Sequence, residues 1–91
     1  VFSVIAREEL IQVLQEVGAQ VLSVPLAAVS PTASLRDDLG MDSIDMFDVL
    51  AMIEQRYGLN VEREHFRNAS TIEEVVEVLI KNYGEELSLH K

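Results

Sequence analysis

Residues 37–59, DDLGMDSIDMFDVLAMIEQRYGL, constrain the fold more than any other stretch, because they specify a helix at both of its ends. Asp42 stands where an N-cap belongs, its carboxylate able to accept from a free backbone N–H of the first turn. Gly58 follows the last periodic apolar residue, where a left-handed stop costs glycine least. A helix over about Ser43–Tyr57 is expected, and at about 100° per residue Met46, Val49, Leu50, Ile53 and Tyr57 share the side expected to face a core. Ile44, Phe47 and Ala51 form a second apolar set on the other side, next to Ser43 and interleaved with Asp48 and Glu54. A helix that only closed a core would carry polar residues there. The set reads either as a docking surface beside a helix-start serine or as residues packed under a neighbouring loop, and spacing alone favours neither.

Two further stretches carry helical periodicity. From about Ala6 to Leu22, Leu10, Leu14, Val17 and Val21 recur on one face, with Arg7, Glu8, Glu9, Gln12, Gln15, Glu16 and Gln20 on others. Gly18 inside this helix costs up to about 1 kcal/mol against Ala, which a close helix crossing would explain. Thr71 and Glu74 form a capping box, after which Ile72, Val75, Val76, Leu79 and Tyr83 repeat up to Gly84, so a last helix over about Ile72–Tyr83 is expected. Glu62 to Arg67 has room for one or two turns of a short third helix, with Phe66 in the core and His65 as a surface or satisfied histidine.

Residues 23–42 make a long connection in which Pro25 and Pro31 argue against continuous helix. A connection of this length in a small domain must be pinned. Val24, Leu26, Val29, Leu35 and Leu39 are the expected pins, and Ser34 with Asp37 is spaced to cap a single turn. Residues 1–5, VFSVI, read as a frayed lead-in, and 85–91, EELSLHK, as a mobile tail with no core role. The expectation is one domain over residues 1–91 with its core at about 6–84, without repeats or low-complexity segments.

Composition narrows the function classes. A chain of 91 residues supports one modest core and not a deep catalytic cleft. Sixteen acidic against seven basic side chains give a net charge of −9, which repels nucleic acid and anionic membrane surfaces and favours enzymes presenting Lys and Arg patches. The same charge also serves plain solubility. No apolar run approaches the roughly 20 residues that span a bilayer, and no signal-peptide pattern opens the chain, so a cytoplasmic monomer is expected.

The segment LGMDSID resembles the modification signature of acyl carrier proteins, Leu-Gly, a variable residue, then Asp-Ser-Leu. Leu39, Gly40, Asp42 and Ser43 match it, and Ile44 replaces the usual Leu. The resemblance extends over about residues 7–84. It implies an all-α four-helix bundle with a short third helix and a long, packed connection between the first and second. It also implies that Ser43 carries 4'-phosphopantetheine, received from coenzyme A through a phosphopantetheinyl transferase as a phosphodiester, with Asp42 as the flanking cap. A helix N-terminus favours such a phosphate, and the thiol belongs to the prosthetic group, so a chain without cysteine is no obstacle. The implied partners are acyl-loading, ketosynthase or other synthase enzymes with basic docking patches. The surface offered to them is Ile44, Phe47, Asp48, Ala51 and Glu54, with Asp38 and Asp45 adding charge. By the same resemblance, cargo would retreat near Met46, Leu50 and Ile53.

Rival readings of these residues are weaker. A serine hydrolase needs a base and an oxyanion hole, yet MDSID lacks a Gly-x-Ser-x-Gly elbow and the histidines are His65 and His90. Asp37, Asp38, Asp42, Asp45 and Asp48 lack the ligand spacing of a calcium loop, so no dedicated metal site is expected. An unmodified helical interaction module would use the same Ile44 and Phe47, and differs only in leaving Ser43 unmodified. A peptidyl carrier typically resembles Gly-Gly-His-Ser at the attachment point, whereas Asp42 precedes the serine here. The expected role is a non-enzymatic carrier of acyl or polyketide cargo in fatty-acid or polyketide-type synthesis.

Overall fold

The computed structural model describes residues 7–89. Three α-helices, α1 (Arg7–Leu22), α2 (Ser43–Tyr57) and α3 (Ile72–Leu89), alternate with two 3-10 turns, η1 (Leu26–Ala28) and η2 (Arg63–Phe66), and the described residues contain no strand. The expected short third helix is the single 3-10 turn η2. Residues 1–5 lie outside the described part.

Helix α1 packs against both α2 and α3. It therefore buries a wider face than one apolar row: Val13 joins Leu10, Leu14 and Val17, while Val21 is only half-buried. Gly18 is buried but does not sit at a tight helix crossing, since a Cβ there would meet Val29 Cγ1 at an ordinary 3.8 Å. Arg7 reaches Glu77 of α3 at 2.9 Å, an exposed pair of small energetic weight.

The α1–α2 connection is pinned, though not by every residue expected. Val29 and Leu35 are buried and Val24 and Leu39 partly so, but Leu26 is 50% exposed because η1 turns its side chain to solvent. Met41 supplies a further buried pin, which no helical period marks in the sequence. Backbone groups add to the hold: Gln15 Nε2 donates to the Val29 carbonyl at 2.8 Å, Leu35 N–H to Ser70 O at 2.8 Å and Glu73 N–H to Pro31 O at 3.1 Å. The turn at Ser34 forms, with Asp37 N–H donating to Ser34 Oγ and Ser34 N–H donating to Asp38 Oδ2 at 2.8 Å.

Helix α2 ends at Gly58, whose φ of 66° is the left-handed stop. Leu59 and Val61 then enter the core, and Phe66 of η2 follows. The Thr71–Glu74 capping box is present at the start of α3. Gly84 is not the end of that helix. Tyr83 absorbs a kink (φ −131°, ψ 17°), the helix continues to Leu89, and Leu87 is 1% exposed. Leu79, Tyr83 and Leu87 follow at helical spacing, so part of the stretch expected to lack a core role closes the bundle's end.

Candidate functional site

The site is built on the approach to α2. Gly40 takes a positive φ of 72°, a conformation glycine adopts without strain, and the chain then turns Met41 inward and Ser43 outward. Asp42, extended at φ −103° and ψ −175°, caps the helix: Asp45 N–H donates to Asp42 Oδ1 at 2.9 Å, and Asp42 N–H donates to Asp45 Oδ2 at 3.2 Å. This is a reciprocal box with Asp where Glu or Gln is usual, which is why the sequence showed the cap and not its second half. Met46 N–H bonds the Asp42 carbonyl. The N–H groups of Ser43 and Ile44 find no acceptor among the described residues, and neither does the Ser43 hydroxyl.

Ser43 is exposed, and around it Ile44 is 69% and Phe47 50% exposed, with Asp48 also facing solvent. Phe47 divides between the two readings of the sequence. One face of its ring is covered by the Arg63 guanidinium, 4.4 Å from the ring centroid, and the rest is open. Ala51 is half-buried. Three acidic residues of this surface also hold local structure: Asp38 accepts from Ser34, Asp45 completes the cap, and Glu54 Oε2 accepts from Val61 N–H at 2.8 Å.

Two hollows share Met41 and Met46, and one of them reaches the serine. A cleft of about 360 Å³ opens beside Ser43 between the Ser34–Asp37 turn, Met46 and residues 66–70, with Arg36 and Arg67 on its walls. A second, apolar hollow of only about 10 Å³ lies inside, bounded by Leu14, Met41, Met46, Val49, Ile72 and Val75. Of the expected cargo-facing residues only Met46 lines it. Leu50 and Ile53 are 1% and 0% exposed and pack elsewhere in the core.

Among the described residues, no base hydrogen-bonds the Ser43 hydroxyl. His65 Nδ1 is engaged with Tyr83 Oη at 3.0 Å, which satisfies it, and His90 lies outside the described residues. Among the described residues no group of three or more His, Asp or Glu gathers at metal-binding distance, and no helix is long and apolar enough to cross a membrane.

Comparison with known proteins agrees on one neighbourhood. Residues 12–79 match the family described as the phosphopantetheine attachment site. The chain is 34% identical over 76 residues to the acyl carrier protein of Rubrobacter xylanophilus, covering 84% of this chain and 94% of that protein. It is 31% identical over 74 residues to the acyl carrier protein of Saccharopolyspora erythraea, covering 81% and 78%, respectively. With that of Thermotoga maritima, identity is 30% over 79 residues, covering 87% and 98%.

Proposed function

The chain belongs to the phosphopantetheine-attachment family and is an acyl carrier protein, and on that premise we propose that Ser43 is the hydroxyl to which the prosthetic group is joined. The observation that supports this reading is the outward Ser43 on the first turn of α2, held by the Asp42–Asp45 box. The residues present fit the group. Ser43 Oγ is free, and the unused Ser43 and Ile44 N–H groups favour a phosphodiester at a helix start. When bound, phosphopantetheine supplies the thiol on which acyl groups are carried.

Ser43 needs no activation of its own. Its hydroxyl gives its proton to a base on the transferase and forms one new ester bond to phosphorus, while the pyrophosphate bond of coenzyme A breaks and the adenosine bisphosphate leaves. The carrier contributes placement and no catalysis. Ile44, Phe47, Asp48 and Ala51 offer synthase enzymes an apolar strip edged with negative charge, and Asp38, Asp45 and Glu54 extend that charge beyond their structural bonds. The partners are enzymes of fatty-acid or polyketide-type synthesis that present Lys and Arg patches.

The test is direct. Incubated with coenzyme A and a promiscuous phosphopantetheinyl transferase, the wild-type protein gains the mass of one phosphopantetheinyl group, and Ser43→Ala gains nothing while keeping its helical circular dichroism. A loaded Ser43→Ala protein would place the attachment elsewhere.

A further inference from the structure

Phe47 and Asp48 are neighbours in sequence but lie about 100° apart around α2, with Ile44 and Ala51 falling between them, so the exposed strip has two edges. The Asp48 edge is negative and faces solvent. The Phe47 edge carries the opposite sign, because η2 lays the Arg63 guanidinium over the ring at 4.4 Å from its centroid. Among the described residues no carboxylate pairs with Arg63, although Glu62 and Glu64 flank it in a chain of sixteen acidic side chains. A single uncompensated cation thus borders a surface that is otherwise apolar and acidic.

The turn that carries this arginine is held on both sides. Glu62 N–H donates to Tyr83 Oη at 2.8 Å, His65 Nδ1 meets the same oxygen at 3.0 Å, and Phe66 is buried, so η2 is fixed to α3 and to the core. Phe47 is nevertheless 50% exposed and Ile44 69%, and a protein that covers the strip covers the guanidinium as well. Burying a charge without a partner is costly. An enzyme whose patch held only Lys and Arg would be attracted at Asp48 and repelled at Arg63. The complement of the strip is a cation and a carboxylate on either side of an apolar contact.

We propose that Arg63 selects among partner enzymes: those that dock here set a carboxylate against its guanidinium, across the strip from the cation that meets Asp48. The inference rests on the outer face of α2 being the docking surface and gives that surface a direction. Guanidinium suits the role because its fork of donors engages a carboxylate in pairs while its plane stays on the aromatic ring. The net charge of −9 draws cationic enzymes to the protein from a distance. The one positive edge then decides which of them seat, and which way round.

The probe is the ketosynthase purified from the host organism by its elongation activity on the acyl-loaded wild-type carrier, assayed at low salt. Arg63→Glu is expected to lower kcat/KM for the carrier about tenfold with kcat unchanged, and Arg63→Lys to stay within about twofold of wild type. A docking patch of cations alone would instead make Arg63→Glu faster, so a faster or unchanged variant overturns the proposal. A second measurement does not depend on the charge-reversed variant folding. Carbodiimide joins amines to carboxylates at contact distance, and with the Arg63→Lys carrier it is expected to couple position 63 to an Asp or Glu of the ketosynthase, mapped by peptide mass spectrometry. Coupling of position 63 only within the carrier overturns the proposal. Asp48→Lys tells this failure from a deeper one: if it slows transfer while Arg63→Glu does not, the docking face stands and the selecting role of Arg63 falls. If neither variant changes the rate, the docking face itself is wrong and the selection goes with it.

Discussion

Ile53 and Ile44 belong to the same helix and lie about two and a half turns apart, on opposite sides at about 100° per residue, yet one is 0% and the other 69% exposed. The inner face of α2, with Val49, Leu50, Ile53 and Tyr57, is held by α1 and the core. The outer face, with Ser43, Ile44, Phe47 and Asp48, meets mostly solvent. Ile53 and Ile44 are the same side chain, so what separates these two is which face the bundle covers. The inner face supplies folding energy, and the outer face is left uncovered.

That contrast can be broken most readily at its inner pole. Ile53→Ala is expected to cost about 2–5 kcal/mol in urea unfolding, the range for truncating a buried aliphatic residue, whereas Ile44→Ala stays within about 0.5 kcal/mol of wild type. Equal losses would abolish the distinction between faces. Asp42→Ala tests the junction of the two and should lose about 0.5–2 kcal/mol, because Asp45 N–H loses its side-chain acceptor at the N-cap. Asp48→Lys sharpens the outer pole: unfolding is expected to move by no more than about 0.5 kcal/mol, while transfer to native partner enzymes slows at low salt and approaches the wild-type rate as salt screens the surface. A rate that is unchanged at low salt removes Asp48 from the docking face.

The smallest expected effect is alkaline. Burial raises the Tyr57 phenol above its ordinary value, with Arg56 opposing the shift. A raised folded value means that the unfolded chain releases this proton first, so the contribution is intact below about pH 10 and falls as pH climbs through the folded value. Urea unfolding of wild type against Tyr57→Phe over that window checks it, since the variant lacks this part of the decline.

Where local chemistry and tertiary packing agree, the sequence was legible. Both ends of α2 were, because Asp42 and Gly58 act through their own backbone neighbours, and so was the Thr71–Glu74 box. The end of α3 was not: Gly84 resembles a stop, but the conformational change falls on Tyr83, and Leu87 gains a place in the core by continuing the helix. Leu26, expected as a pin, is exposed and Met41, not among the expected pins, is buried for a similar reason, since in an irregular connection no period says which apolar residue turns inward. At the site, the exposure of Ser43 followed from its place at a helix start. The arginines of the cleft did not, because Arg36 and Arg67 are distant in sequence and only the Leu35–Ser70 bond brings their segments together.

The bend at Tyr83 has a reach beyond its own helix. Its phenol oxygen accepts from Glu62 N–H at 2.8 Å and touches His65, thereby gripping both sides of the residue whose guanidinium lies on Phe47. An unbroken relay of contacts thus joins the last helix to the half-exposed ring of Phe47. One oxygen atom at the far end of the chain acts as the latch for the cover over that ring, and Tyr83→Phe would leave the cover standing without its latch.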